Sequence, residues 1–581
     1  IPQLTIEHNL HGIDLDNRAV QLAQLGLYIK ARKRRRNVSN LHFNVVSSDF
    51  YLPNYEAVRH IFETGPQLDK NQKALISDIW GDLQNAYKFG SLIRVDEKLK
   101  TRLRELVSKR VMPRPQMFTD KELGVKPKPV QQELFLEHDI EQERKFAVIF
   151  FSNLKTAVEQ YSQAQGDSFI ASKTRDAVTF LELLSTKYDV AAANPPYTDS
   201  ADFGADLKVY IEANYKQPKK FHNNLYVAFI KRCYDFLVDR GFIAMLHPLT
   251  FMYIKTFEDV RKFIITNTTI NLLAELGLGG VFLNSNVQVD VCMHVLEKTF
   301  SSKSGVYFDL KPYKNHTNKP NIFADIYQNY INGNSDKHIF TIPQSKLKVI
   351  KSWPIIYWIS DEFRKKFGGD SLGNFFEISF GLKTANNLRY LKFFWEIGNY
   401  SNRNYISTYK AGPFNKWYGN LWLYLDYDHQ RENIAKEKSS GFSGERNYRK
   451  TGIICPTVSS KGTSFRINFD SIFTNADLGI YQTKKSQDIP LLSVLGYLNS
   501  KIVQYINNML NPTVNLMPND LKRIPFTRPS ISVEENISCL VNTCIETKKN
   551  ICAFQIINPN FTATPFQSFL DLKFENKIKS F

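Results

Sequence analysis

The chain has 581 residues, 43% of them hydrophobic and 23% charged, which excludes a disordered tail protein and a small disulfide scaffold. No uncharged apolar run reaches the roughly 18 residues that would mark a membrane span. Lys and Arg number 75 against 57 Asp and Glu, a net charge of +18 that favours a polyanionic partner through counterion release. The length suggests about three or four structural units. The six cysteines (Cys233, Cys292, Cys455, Cys539, Cys544 and Cys552) are dispersed, form no CxxC pair and follow no signal peptide. A reducing, cytoplasmic setting without a metal site is the expectation.

In chain order, residues 9–14 (Asn-Leu-His-Gly-Ile-Asp) read as a short strand ending in acid. Asp16 or Asn17 can cap the helix that follows, which carries Val20, Ala23 and Leu27 at helical spacing. It ends in Lys30-Ala-Arg-Lys-Arg-Arg-Arg36, where cations suit the macrodipole and could equally meet phosphate. Residues 41–46 look like a second strand, ending near Asp49. The stretch 53–187 is charged, helical in pattern and interrupted by Pro113, Pro115, Pro127 and Pro129, so it reads as a helical insertion. Strand and helix alternation returns with Tyr-Asp-Val-Ala-Ala-Ala at 188–193, a helix near 224–238, and strands near 242–246, 270–276 and 287–296. Such alternation implies a mostly parallel sheet covered on both faces. Beyond about Thr299 the chain is rich in Asn, Tyr, Phe, Lys and Gly with short strand-like runs, and 490–510 reads as one amphipathic helix before Pro512 and Lys522-Arg523.

The most informative segment is Asn194-Pro195-Pro196-Tyr197, delivered by a small apolar strand to its C-terminal end. Open α/β sheets bind their ligands there. An exocyclic amine on a nucleobase is a poor nucleophile because its lone pair is delocalised into the ring. An Asn carbonyl and a backbone carbonyl can accept both amine hydrogens and draw the nitrogen toward tetrahedral geometry. Proline donates nothing, so Pro195 offers only its carbonyl and keeps the loop stiff. Tyr197 supplies a face on which a flipped base can stack. The competing reading is a plain Asn-Pro turn.

Asn-Pro-Pro-Tyr after a strand resembles the catalytic motif of amino-group DNA methyltransferases that make N6-methyladenine. Asn224-Leu-Tyr-Val-Ala-Phe229, continuing to Asp239-Arg-Gly-Phe-Ile-Ala-Met-Leu246, resembles the family's next segment. Gly12-Ile-Asp-Leu-Asp16 and Ser48-Asp49 resemble its cofactor strand ends. The resemblance implies a methyltransferase-type Rossmann sheet, partial at the N-terminus, with S-adenosyl-L-methionine as cofactor. It implies that Asp14 holds ribose hydroxyls, that Asp49 accepts from the cofactor's adenine amine, and that Leu15 and Phe229 sandwich that ring. Phe282 would be the second wall against the target base, opposite Tyr197. More closely, the chain resembles the PglX-type adenine-specific methyltransferases of BREX phage-defence systems. That likeness rests on the insertion and on Gly381-Leu-Lys-Thr-Ala-Asn-Asn387, Lys416-Trp-Tyr-Gly-Asn420, Leu498-Asn-Ser-Lys501 and Asn511-Pro512 through Lys522-Arg-Ile-Pro525. The family's Gly-rich first cofactor motif should lie before Gly12, and the chain opens at Ile1 without it. A truncated piece of a larger enzyme that binds cofactor weakly is therefore expected. Gly277-Leu-Gly-Gly280 falls in the wrong part of the order to replace it.

The expected organisation is an α/β methyltransferase core over 1–52 and 188–300, with the insertion at 53–187 between. A connecting segment (301–345), a mixed α+β target-recognition domain (346–530) and a C-terminal helical segment (531–581) follow. Double-stranded DNA is the expected partner, with Lys522 and Arg523 on its phosphates, other phage-defence proteins as further partners, and no membrane. Two other readings stand beside adenine methylation for phage defence: the methyltransferase part of a fused restriction-modification enzyme, and a non-catalytic DNA-recognition subunit. An RNA or protein amine methyltransferase fits the Lys/Arg/Tyr-rich second half less well. Cys455-Pro456 reverses the Pro-Cys order of cytosine ring methyltransferases, and no Asp…Glu-x-Lys set marks a nuclease.

Overall fold

The chain divides into two units, one made of Ile1–Pro248, Asn267–Ala274 and Val291–Ser301, the other of Leu249–Thr266, Glu275–Asp290 and Ser302–Phe581. The computed structural model describes residues 2–36, 38, 41–49, 54–56, 59–60, 70–97, 101, 151–157, 159–160, 168–278, 289–301, 303–313, 318–398 and 404–561. In the first unit, β1 (His11–Asp14) pairs in parallel with β2 (Asn44–Ser47), Asp14 opposite Ser47. Parallel pairing demands a crossover, and α1 (Asn17–Arg34) provides it. The Asp16 carboxylate caps α1, accepting from the Arg18 amide at 2.9 Å, and Arg32, Lys33 and Arg34 fill its last turn. Gln24 donates to the Val45 carbonyl at 2.9 Å and seats the helix on β2.

Within the expected insertion lie α2 (Lys70–Leu83) and α3 (Ser168–Ser185). Their apolar stripes meet: Ile76, Ile79, Trp80 and Leu83 are buried in one cluster with Val178, Leu181, Leu184, Phe151 and Leu154. Val46 of β2 belongs to the same cluster, so these helices extend the core over the sheet. Residues 102–150 lie outside the described residues.

The second sheet of this unit contains β3 (Tyr188–Ala193), parallel to β4 (Leu237–Pro248), with Ala193 opposite Met245. It continues in the order β3-β4-β6-β5, with β5 at Thr269–Gly277 and β6 at Val291–Glu297. β6 runs antiparallel to β4, placing His294 opposite Met245 and Cys292 opposite His247. Two helices lie between β3 and β4, α4 (Ala205–Tyr215) and α5 (Leu225–Phe236), the latter burying Val227, Ala228, Ile230 and Cys233. Among the described residues β1 pairs only with β2, and β3 only with β4. The two open edges begin side by side, the His11 and Tyr188 rings 5.2 Å apart. β3 has the small apolar composition of a strand covered on both sides, yet Val190 is 59% exposed.

A strap at residues 86–97 links these parts. Gly90, at φ +53°, lies against Ser48 just past β2. Arg232 of α5, fully buried, donates to the carbonyls of Ser91 and Ile93, each at 2.7 Å, and pairs with Asp96 at 2.8 Å. The buried Tyr215 hydroxyl donates to the Leu92 carbonyl at 2.8 Å.

The second unit carries β7 (Ser304–Asp309) antiparallel to β8 (Ile339–Pro343). Two four-stranded sheets follow, built from β9 (Phe376–Phe380), β10 (Lys392–Phe393), β11 (Ile406–Tyr409), β12 (Leu423–Leu425), β13 (Gly452–Pro456), β14 (Arg466–Asn468), β15 (Ile472–Phe473) and β16 (Asp477–Gln482). Their orders are β14-β13-β16-β9 and β10-β12-β11-β15. Gly381 is obligatory where they meet, since a Cβ there would lie 2.0 Å from the Phe473 carbonyl oxygen. The helix expected across 490–510 is in fact two, α6 (Leu491–Leu498) and α7 (Lys501–Leu510). Asn499 breaks it by turning its amide onto Phe465, accepting from its N–H at 3.1 Å and donating to its carbonyl at 2.8 Å. Ser500 then caps α7, accepting from the Val503 amide at 3.3 Å. α8 (Pro518–Lys522) and α9 (Ile531–Ala553) complete the unit. The mixed α/β class expected from the sequence is the class observed.

Arg232 is the point where this packing is most vulnerable. Asp96→Ala leaves a buried guanidinium without its counter-ion and should lower stability by about 3–5 kcal/mol in urea unfolding. A loss under about 1 kcal/mol would show the pair to be effectively solvated.

Candidate active site and nucleic-acid interface

The 194–197 loop leaves β3 one residue after the Ala193–Met245 pairing. Asn194 is exposed, Pro195 buried, Pro196 exposed and Tyr197 half-buried. The Tyr197 hydroxyl donates to Asn194 Oδ1 at 3.1 Å, so the carboxamide and the phenol ring are tied together. Burial, with the nearby Cys292, raises the Tyr197 phenol above its usual range and keeps it a donor.

The return of the chain into α5 holds this loop. Asn224 donates from Nδ2 to the Tyr197 carbonyl at 3.4 Å and accepts from the Tyr226 amide at 3.3 Å, so one buried side chain caps the helix and anchors the loop. The Leu225 amide donates to Thr198 O and the Ser200 amide to Asn223 O, both at 3.1 Å. On β4, two residues past Met245, His247 is buried beneath Tyr226, the rings stacked at 4.9 Å and 11°. Its Nε2 lies 3.0 Å from His294 Nδ1. Burial pushes His247 down to about 4 and His294 well below its usual value, so both imidazoles are neutral at pH 7. Sequence reading assigned no role to Asn224, although an Asn opening an apolar helical run is a capping signal. His247 and His294 gave no signal, because their pairing depends on strand register.

Asp14 and Asp49 lie at the ends of adjacent parallel strands, both exposed. Asp14 Oδ1 accepts from the Asp16 amide at 2.8 Å, and its carbonyl accepts from the Ser48 amide at 2.8 Å. Ser47 Oγ donates to Leu15 O at 3.2 Å and accepts from the Asp49 amide at 3.0 Å, which stitches the two strand ends together. Leu15 is half exposed and Phe229 half-buried on α5. Phe282 lies outside the described residues.

The expectation for Lys522 and Arg523 divides. Lys522 is exposed, but Arg523 is interior and cannot meet phosphate as placed. It pairs with Asp520 at 2.6 Å and donates to the Asn519 carbonyl at 3.2 Å, both carboxylate and guanidinium being 4% exposed. A helical turn puts adjacent residues on different faces, so neighbouring cations in sequence need not share a surface.

Residues 8–282 match the family model described as Eco57I restriction-modification methylase. The chain is 22% identical over 547 residues to the adenine-specific methyltransferase BrxX of Escherichia coli O9:H4 (strain HS), covering 91% of this chain and 41% of that protein. It is 22% identical over 565 residues to the adenine-specific methyltransferase PglX of Lacticaseibacillus casei (strain Zhang), covering 90% of this chain and 41% of that one. The chain thus spans about two fifths of the length of these curated relatives. Among solved structures, it is similar at 13% identity and TM-score 0.42 to a nuclease-deletion mutant of the Type ISP restriction-modification enzyme LlaGI in complex with a DNA substrate mimic, over 92% of this chain and 66% of that one.

Placement of the two cations yields opposite expectations for their removal. Arg523→Ala should lower stability by about 3–5 kcal/mol, because Asp520 is left buried and unpaired. Lys522→Ala should leave stability within about 0.5 kcal/mol. Thermal and urea unfolding of both variants check this, and equal stability would contradict it.

Proposed function

We propose that the first unit transfers a methyl group from S-adenosyl-L-methionine to the exocyclic amine of adenine in a specific duplex DNA site, in the marking of host DNA during phage defence. The observation that carries this reading is the tie between Asn194 and Tyr197 at the end of β3, where an amide acceptor and an aromatic face stand together. The match of 8–282 to a restriction-modification methylase family supports it.

The strand ends of β1 and β2 fit the adenosine part of the cofactor. Two exposed carboxylates, held in place by backbone and Ser47, suit a ribose diol and an adenine amine, with Leu15 beside them. When bound, the cofactor supplies an electrophilic methyl group on its sulfonium. Asn194 and the Pro195 carbonyl accept the two hydrogens of the target amine and orient its lone pair. Tyr197 stacks against the flipped base. Asn224 holds the loop from below, so the acceptors need little reorganisation.

The open edges of β1 and β3 favour a second reading in one respect. The described residues offer no backbone seat for the methionine end of the cofactor, as a DNA-recognition subunit would not need one.

Asn194→Ala should lower turnover by at least about 100-fold and leave duplex affinity nearly unchanged, because the lost acceptor matters mainly in the transition state. Tyr197→Phe keeps the stacking face and should retain most activity, whereas Tyr197→Ala should not. A labelled-methyl assay decides. Unchanged turnover for Asn194→Ala would refute the assignment.

A further inference from the structure

Two loops of the second unit are joined in a way that their separation in sequence hides. Residues 457–463 leave β13, and residues 511–517 leave α7. The Ser459 amide donates to Val514 O at 3.1 Å and the Leu516 amide to Thr457 O at 2.7 Å, an antiparallel bridge centred on Val458 and Asn515. The pair is stiffened from inside. Asn511 donates to the Asn515 carbonyl at 2.7 Å and to Asp520 at 2.8 Å, and Asp520 also accepts from the Met517 amide at 3.1 Å. Arg523 closes this set through its ion pair with Asp520. In the first loop Ser459 Oγ donates to Gly462 O at 2.6 Å, and Gly462, at φ +88°, adopts a left-handed conformation. A Cβ there would also strike Gln504 of α7.

What this rigid support presents is unusual for a surface loop. Val458, Val514 and Met517 are 57%, 55% and 48% exposed, next to exposed Ser460, Thr513 and Asn515. Between Thr457 and Ser464, and between Asn499 and Asn519, the sequence contains no Asp or Glu. The exposed charges on these segments are Lys461 and Lys501, with Lys522 just beyond. Apolar tips, carboxamides and hydroxyls without an anion, rimmed by lysines, match the chemistry of a base-pair edge between phosphates. Valine meets a thymine methyl, and Asn makes a bidentate pair with adenine in the major groove. Lysines beside these apolar and carboxamide side chains would position the tip on the backbone.

We propose that the paired loops 457–463 and 511–517 form the base-reading tip of the second unit, with Val458, Val514 and Asn515 setting sequence preference and Lys461 and Lys522 holding flanking phosphates. This rests on the reading that the protein binds duplex DNA. Asp520 and Arg523 act on specificity only through the loop that they mould.

The test is selection of preferred duplexes from a randomised library by the protein, with affinity measured at several salt concentrations. Val514→Ser with Asn515→Ala, and separately Val458→Ser, should relax discrimination at one or two base positions by about 5- to 150-fold while changing non-specific affinity by less than about threefold. Lys461→Gln should weaken all duplexes alike, reduce the salt slope and leave the preferred sequence unchanged. All these positions are exposed, so folding is preserved. An unchanged preference in both tip variants overturns the proposal and leaves DNA binding standing. A uniform loss of affinity in the tip variants makes the loops an anchor or a protein contact, which also overturns it. A wild-type protein that binds no duplex refutes the underlying reading itself.

Discussion

Arg232 ties together parts of the first unit that lie about 140 residues apart in sequence. Its guanidinium holds the carbonyls of Ser91 and Ile93 and the Asp96 carboxylate. It therefore fixes the 86–97 strap, which reaches Ser48 at the end of β2. Since Arg232 sits on α5, whose cap Asn224 anchors the 194–197 loop, the β2 end and the loop share a single rigid mount. A buried cation with three partners is costly to disturb and gives little net stability. Its value here is geometric, because it sets the distance between the strand ends and the loop.

The second unit uses carboxamides for the same purpose. Asn420 donates to the carbonyls of Ala411 and Pro413 at 3.0 and 3.1 Å. Asn468 donates to the Ser471 carbonyl at 3.2 Å, Asn499 brackets Phe465, and Asn511 binds the backbone of its own loop. Each satisfies irregular backbone that no neighbouring strand can pair. The buried asparagines of this half thus act as internal scaffolding, while many others, Asn515 among them, lie exposed on its surface.

These placements explain which features were legible. Strand ends carrying Asp14, Asp49 and Asn194 could be read because short apolar runs ending in polar residues are a local pattern. The Asp16 cap and the basic end of α1 were local as well. Arg523 misled because sequence reports charge but not burial, and its partner Asp520 is only one turn away. The break in the expected 490–510 helix could not be read either, since Asn499 is a tolerable helix residue until Phe465 arrives from 34 residues upstream. The histidine pair and the bridged loops depend on register between distant strands and loops. Neither leaves a trace in periodicity.

One constraint ties the first unit to its proposed chemistry. β1 and β3 begin side by side at His11 and Tyr188, yet each has a strand partner on one side only among the described residues. An apolar strand such as β3 is stable as an interior strand and exposed as an edge. Amide hydrogen exchange tests this most directly. Rapid exchange is predicted in β1 and β3, and slow exchange in β4 and β6. Protection of β1 and β3 equal to that of β4 and β6 would contradict it.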